Sequence, residues 1–303
     1  MERRLEQAEH WDGLRRLNDL RDQTCSHDWL YALNPAHGVT LAPEDFLEAV
    51  RIRLGAPLMH EPCICASCGE AVLDTFGSHA LRCAKAACTV GHNRVRDAVH
   101  QLAHAADASA TTEPEGLIPY APGLRPADIL TSAALPGSLA ALDIGICSPD
   151  SAGAGADCCA SMATRKLRSY QNHFGALGRQ GIRYQPMPFS SYGRMHPSTA
   201  AILITMARGA ARRQGVQGHK PILRRAQARI GAEIWKRAAA MVRACRPALS
   251  KETLAILLGD DPCNTHPGDT QDQEDQGKGG AATAAAAAAG NGIVGGGGTA
   301  LWA

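Results

Sequence analysis

The spacing of apolar and polar residues divides the chain into a helical beginning, a mixed middle and a helical end. Apolar positions at helical spacing predict helices up to about residue 58, one of them starting beside Glu44 and Asp45, whose acidic side chains suit a first turn. The same spacing predicts a helix over residues 93–106. We interpret the first 58 residues as a helical lead-in and not as a catalytic unit.

The middle of the chain contains two β-rich runs, at residues 127–131 and 139–148. Pro136 and Gly137 lie between them and signal a turn, so the runs predict an antiparallel hairpin. The remaining predicted elements are a helix over residues 157–177, an extended run over 182–187 and helices over 198–258. This order predicts a small mixed α/β domain.

The composition changes near residue 264, after which the chain consists largely of Gly, Ala, Thr, Asp and Gln. Such a sequence buries too little apolar surface to offset chain entropy, which predicts a disordered tail. The tail carries four acids and one lysine, a net charge of −3, so the +2 of the whole chain leaves +5 on residues 1–263.

No apolar stretch of the sequence reaches the ~20 residues of a membrane span. We expect an intracellular protein without a membrane partner.

The excess of positive charge is also local. Twelve Lys or Arg residues and a single acid, Glu233, lie between Thr205 and Lys251. Such a field suits a polyanion, so a nucleic acid is the expected partner. A solvated helical face with long basic side chains would show the same pattern, and both interpretations stay open.

Five of the eleven cysteines lie between Cys63 and Cys88. Two close pairs stand out within this segment: Cys65 and Cys68, and His79 and Cys83. Three thiolates and one imidazole in two close pairs are typical of a closed, structural zinc site. The interleaved histidines favour a reducing compartment over disulfides. Alternative ligands are Cys63, Cys88 and His92, and free buried cysteines with surface histidines are the alternative to any metal site.

Two acids, Asp128 and Asp143, lie on the predicted hairpin strands. A turn centred on Leu135 and Pro136 would place them directly opposite each other. A turn centred on Pro136 and Gly137 would place Asp143 opposite Leu130, diagonal to Asp128. Either way both carboxylates share one face, where like charges are unfavourable unless a cation such as Mg²⁺ lies between them. Local roles, with Asp128 capping a turn, are the alternative.

Lys166 and Glu113 are the other candidates for this site. Lys166 lies on a helical stripe with Met162, Tyr170 and Phe174, which directs a lysine toward the sheet, where a cation can position a water or stabilise phosphate charge. The side chain could also extend along the apolar surface to water. Glu113 could be a third acid of the site or belong to a solvated turn.

Together these residues resemble the restriction-like endonuclease region of site-specific non-LTR retrotransposon proteins. That family has a Cys-Cys-His-Cys zinc knuckle, a basic-His-Asn element, a Glu-Pro, an Arg/Lys-Pro-Asp motif and a second Asp about a dozen residues later. The corresponding residues here are Cys65, Cys68, His79, Cys83, Gly91-His92-Asn93, Glu113-Pro114, Arg125-Pro126-Ala127-Asp128 and Asp143. Gly91 stands where the family has a basic residue, and Ala127 separates Pro126 from Asp128.

The resemblance covers residues 63–175 and implies an α/β fold with a small mixed-sheet PD-(D/E)XK nuclease core. It implies that Asp128 and Asp143 bind catalytic Mg²⁺, that Lys166 is the catalytic lysine, and that the protein nicks DNA in the nucleus. The basic PD-(D/E)XK pattern has its lysine two residues after the second acid, where this chain has Gly145. The family's reverse transcriptase has no counterpart in these residues.

The expected organisation is a lead-in over residues 1–58, a zinc knuckle over 59–92, a nuclease-like core over 93–197, a basic helical region over 198–263 and the tail over 264–303. A metal-dependent DNA endonuclease is the leading hypothesis. The alternatives are a non-catalytic, zinc-dependent nucleic-acid-binding remnant of a retroelement and a degenerate product without a selected function.

Overall fold

The computed structural model describes residues 11–21, 25, 27–31, 39–83, 85–86 and 88–247. The predicted tail, the end of the basic region and parts of the helical lead-in lie outside the described residues. The described part has a mixed α/β architecture with one four-stranded mixed sheet and one two-stranded sheet. None of its helices is long and apolar enough to cross a membrane.

The α-helices are α1 (Trp11–Arg21), α2 (Pro43–Leu54), α3 (Cys88–Ala106), α4 (Cys158–Tyr170), α5 (Phe174–Arg179), α6 (Pro197–Gln214) and α7 (Lys220–Cys245). The strands are β1 (Cys63–Ile64), β2 (Val72–Leu73), β3 (Thr111–Thr112), β4 (Ile129–Leu135), β5 (Ser138–Cys147) and β6 (Ile182–Ser190). Short 3-10 turns occupy Asp28–Tyr31, Ala80–Arg82 and Gln171–His173. The predicted start of α2 is correct, and Gly55 ends that helix in the left-handed region at φ 65°.

The main sheet has the strand order β3-β4-β5-β6. β3, β4 and β5 pair antiparallel, which agrees with the predicted hairpin, whereas β6 pairs parallel to β5. A parallel pair needs a crossover connection, and here α4 and α5 provide it. β5 is therefore an inner strand, with a neighbour on each edge.

Residues of β5 alternate between the two faces of the sheet, as the two-residue period of a strand requires. Ala140, Leu142 and Ile144 belong to the core that includes residues of α3 and α6. Ala141 belongs instead to a smaller apolar cluster with Leu177 of α5. Since Asp143 shares the face of Ala141, it is directed toward the side of the sheet that the crossover helices cover.

The predicted helix over residues 157–177 is divided in two. α4 begins after Asp157, whose side chain caps it by accepting the backbone N–H groups of Cys159 and Ala160. It ends at Tyr170, and the 3-10 turn Gln171–His173 leads into α5. Glycines at 175 and 178 lower the helix propensity of this segment, and the break allows Leu177 to pack on the sheet.

The segment predicted as a zinc knuckle packs against the long helix α7. An apolar cluster joins buried residues of this segment, Leu73 and Leu81 among them, to Trp235 and Val242 of α7. The segment also binds the end of α7 through its backbone, because Ala66 N–H donates to the carbonyl of Cys245 at 2.8 Å. Such contacts satisfy carbonyl groups that the last turn of a helix leaves without partners.

Candidate active site and metal centre

The register of the hairpin places the two candidate acids opposite each other. The turn consists of Pro136 and Gly137, which alone would pair Leu130 with Asp143. A register shift between Thr131 and Leu135 changes the pairing by two residues, so that Leu130 pairs with Ala141. Continuing that register places Asp128, just before β4, opposite Asp143. The sequence pattern predicted that both carboxylates share one face of the sheet, but it did not predict the bulge that brings the two positions opposite each other.

Asp128 is held by α3 and by the neighbouring strand. Its Oδ1 lies 3.2 Å from Nε2 of His92, and its Oδ2 accepts the backbone N–H of Ile144 at 2.7 Å. Burial by itself raises the pKa of this carboxyl group, but the hydrogen bond and charge of His92, with the N–H of Ile144, outweigh it and hold the pKa below its usual value. Asp128 is therefore kept ionised.

Asp143 binds a cation and a phenol. Nζ of Lys166 lies 2.5 Å from Oδ1 of Asp143 and donates a second hydrogen bond to the carbonyl of Ile144 at 3.0 Å. The hydroxyl of Tyr184 on β6 donates to Oδ2 of Asp143. Burial raises the pKa of Asp143 above its usual value, and the charge of Asp128 adds to this effect, although Lys166 and Tyr184 act in the opposite direction.

The two carboxyl groups thus have opposite pKa shifts although they lie on adjacent strands. Each interacts electrostatically with Lys166, which favours their ionised forms. Two ionised carboxylates beside one another create a site where a divalent cation with oxygen preference can bind. The residues therefore fit a hard divalent cation held beside a lysine.

Gly145 makes room for Lys166. A Cβ atom at position 145 would lie 2.8 Å from Cε of Lys166 and 3.2 Å from Cγ of Met162, closer than packed atoms normally approach. The lysine of α4 therefore reaches the sheet over a residue without a side chain. This is the position at which the basic PD-(D/E)XK pattern has its own lysine.

Glu113 lies at the edge of this region. Its backbone N–H donates to the carbonyl of Asp128 at 2.8 Å, and its φ of 48° lies in the left-handed region. Its carboxylate forms ion pairs with Arg96 and Arg125, and about half of the side chain is exposed. The carboxylate is therefore engaged by two arginines in the described part of the chain. A part for Glu113 in the site stays a prediction.

The four preferred zinc ligands come together in the segment after α2. The ligand atoms of Cys65, Cys68, His79 and Cys83 all lie within 4.8 Å of one another. Sγ of Cys65 is 3.9 Å from Sγ of Cys83, and Sγ of Cys68 is 3.4 Å from Nε2 of His79. Backbone N–H groups, first that of Ala71, lower the pKa of Cys68 to about 6, which favours a thiolate.

Local structure explains how these ligands meet. β1 and β2 form a short hairpin in which Gly69, at φ 73°, closes the turn by donating its N–H to the carbonyl of Cys65 at 2.8 Å. His79 and Cys83 flank the 3-10 turn Ala80–Arg82, which spaces them by one turn. The donor set of three thiolates and one imidazole fits a structural zinc ion.

The alternative ligands lie elsewhere. His92 contacts Asp128, while Sγ of Cys63 lies 3.7 Å from Sδ of Met59 and Sγ of Cys88 lies 4.0 Å from Oγ1 of Thr89. None of the three belongs to the group of four ligand atoms in the described part of the chain.

His92 and Tyr184 are the site residues that the sequence did not indicate as partners of the acids. The signal for His92 was present, since it lies in the His-Asn element, but its spacing from Cys83 also suited zinc. Tyr184 had no local signal, because only the parallel pairing of β5 with β6 brings it to Asp143. Tyr184 pairs directly with Ala141, and Asp143 lies two residues further along β5 on the same face.

The basic side chains of the carboxyl-terminal helices are only partly available to a polyanion. Exposed bases are Arg208, Arg212, Arg213, Lys220, Arg224, Arg225 and Arg243. Arg237, by contrast, is buried. It packs against Gly91 of α3 so closely that a Cβ atom at position 91 would lie 2.3 Å from Cγ of Arg237, which leaves no room there for a side chain. The predicted positive field is therefore concentrated at the end of α6 and the start of α7.

No protein-family model and no curated protein matches the chain. The resemblance to retrotransposon endonucleases therefore stays a prediction from the order of the motif residues in the sequence.

Proposed function

We propose that this protein is a Mg²⁺-dependent DNA endonuclease that nicks one strand. The observation that carries the proposal is the convergence of Asp128, just before β4, with Asp143 of β5 and Lys166 of α4, where Lys166 binds Asp143 at 2.5 Å. A lysine beside two carboxylates on adjacent strands is the arrangement expected for a PD-(D/E)XK core. In the basic PD-(D/E)XK pattern the lysine lies two residues after the second acid, where this chain has Gly145. We assign this protein to a form of that pattern in which the lysine lies on the next helix, here Lys166 of α4.

Each side chain has a defined part in the proposed reaction. Asp128 and Asp143 would hold Mg²⁺, which when bound supplies an activated water and stabilises the leaving oxygen. Lys166, which lies beside Asp143, would position a water or stabilise the phosphate charge. His92 and Tyr184 hold the two carboxylates in place, as hydrogen-bonded neighbours of metal ligands do.

The remaining parts of the proposal concern positioning. Cys65, Cys68, His79 and Cys83 would hold a structural Zn²⁺ that fixes the knuckle against α7. The exposed bases of α6 and α7 would bind the phosphate backbone of DNA, or of RNA as the second partner. Action on chromosomal DNA would place the protein in the nucleus.

A plasmid assay tests the proposal. Purified protein is incubated with supercoiled plasmid and Mg²⁺, and the conversion to open circles is measured with and without a chelator. We expect Mg²⁺-dependent nicking that disappears in the double variant Asp128→Ala plus Asp143→Ala. Asp97→Ala, which removes a half-exposed carboxylate of α3, is the matched control and should nick normally. Nicking that survives in the double variant would refute the proposed site.

The alternative is a non-catalytic nucleic-acid-binding remnant, which the exposed bases of α6 and α7 would serve equally well. This alternative predicts that the protein retards DNA in a gel but does not nick it under any metal condition. The close approach of Lys166 to Asp143 argues against it, since a remnant has no need of that arrangement.

A further inference from the structure

Three cysteines outside the sites described above form a second cluster. Cys147 is the last residue of β5, and Cys158 and Cys159 are the first two residues of α4. Their three Sγ atoms all lie within 4.8 Å of one another, and those of Cys147 and Cys159 are 3.9 Å apart. Zn–S bonds of about 2.3 Å place tetrahedral ligand sulfurs at about 3.8 Å from each other. The thiols therefore already have nearly the separations that a shared metal ion requires.

The surroundings of Cys158 favour a thiolate. Cys158 and Cys159 lie in the first turn of α4, where the helix dipole stabilises negative charge. Nη2 of Arg194 lies 3.5 Å from Sγ of Cys158, and the same guanidinium binds Asp157 at 2.8 Å. Three thiolates around a divalent ion carry a net charge of −1, and the guanidinium beside them, which Asp157 and Asp19 also bind, stabilises that charge. Burial of Cys158 and Cys159 excludes the water that would compete for the ion.

We propose that Cys147, Cys158 and Cys159 bind a second Zn²⁺ ion, separate from the knuckle. Three Zn–S bonds would form, and each thiol that is protonated would release its proton to solvent. The three thiols are the ligand atoms that the described part of the chain brings together here; Asp19, whose Oδ1 Arg194 binds at 2.6 Å, does not belong to the group. The thiolates supply three of the four positions of a tetrahedral Zn²⁺ site.

The ion would tie together the two ends of the loop over residues 148–157. It would join the end of β5 to the start of α4, and these are the elements that carry Asp143 and Lys166. If the proposed nuclease function is right, this second ion fixes the helix of the lysine relative to the strand of the aspartate. The binding of the ion itself does not depend on that function.

Metal analysis of the full chain tests the inference. The protein is purified from zinc-supplemented cells under reducing conditions, passed over a desalting column, and its zinc is measured per chain by mass spectrometry. We expect two zinc ions in the wild type, one in Cys68→Ser, one in Cys159→Ser and none in the double variant. Cys25→Ser replaces a buried cysteine outside both clusters and should keep two ions.

Cobalt substitution gives a second readout. In the Cys68→Ser background, added Co²⁺ should produce thiolate-to-cobalt charge-transfer absorption, and Cys147→Ser should abolish it. Cys147 is only half-buried, so its replacement is the milder one if Cys159→Ser does not fold. A wild type with a single zinc that Cys68→Ser removes would overturn the inference, as would cobalt absorption that Cys147→Ser leaves unchanged. Neither outcome bears on plasmid nicking, so the two proposals fail separately.

Discussion

The knuckle and the acidic site gather their polar side chains in opposite ways. The four knuckle residues lie within one short segment, and hairpin β1–β2 and a single 3-10 turn suffice to bring them together. The acidic site takes one side chain each from α3, the residue before β4, β5, α4 and β6, so it exists only when the whole domain has folded. A site built from local spacing can be recognised in a sequence, whereas one built from tertiary contacts is recognised only in part.

The two regions also differ in what their geometry requires. In the knuckle the three ligand cysteines belong to or pack against an apolar cluster with α7, so loss of a bound ion would expose or distort packed surface. In the acidic site the side chains are positioned on a sheet that its own core already stabilises. We therefore expect changes in the knuckle to act mainly on folding and changes in the acidic site to act mainly on reaction rate.

Asp128→Asn should give the largest effect on rate. The asparagine side chain can still accept the N–H of Ile144, but it lacks the charge that binds Mg²⁺. Loss of about 4 kcal/mol of stabilisation at the metal would reduce the nicking rate by roughly 10³-fold. Single-turnover plasmid nicking measures the rate, and thermal melting should show almost no change. A large fall in melting temperature would show that the acidic site, too, is structural.

Cys68→Ser tests the other half of the comparison. Loss of one zinc ligand should destabilise the protein by about 3 kcal/mol, which lowers the melting temperature by roughly 6–12 °C in a domain of this size. Hydrogen exchange should increase over residues 60–105 and at the end of α7. Cys63→Ser, in the same hairpin but outside the four ligands, is the control and should melt like the wild type. Equal melting of both variants would contradict a structural ion.

The sequence was sufficient for the features that depend on local order. It predicted the α2 start, the hairpin, the four clustered knuckle residues, and the helical stripe that brings Lys166 to the sheet. It was not sufficient for the bulge that pairs Asp128 with Asp143, because a register shift leaves no signature in the alternation of β4. Nor did it reveal the Cys147 cluster, whose members approach only when α4 folds back against the end of β5.

Gly145→Ala should have an intermediate effect on rate. The added methyl group would meet Cε of Lys166 at 2.8 Å and displace the amine from Asp143. A displacement of about 1 Å at a reacting group can reduce a rate up to roughly 10²-fold, so we expect a fall between that value and tenfold. Zinc content and DNA affinity should not change. Gly153→Ala, which has open space around its Cβ, is the matched control and should nick at the wild-type rate.

Tyr184→Phe should give the smallest change in rate and a diagnostic change in pH dependence. The hydroxyl of Tyr184 stabilises the ionised form of Asp143, so its removal should raise the already raised pKa of that carboxyl group. Asp143 then stays protonated to a higher pH and cannot bind Mg²⁺, so the acid limb of the nicking profile should move to higher pH. At alkaline pH the loss of one hydrogen bond should cost about tenfold or less. Since Tyr184 lies far in sequence from the knuckle, the zinc content of the Tyr184→Phe variant should equal that of the wild type. An acid limb that keeps its position would mean that Asp143 is not the group whose ionisation limits the reaction. The assignment of the acidic site to catalysis would then be contradicted.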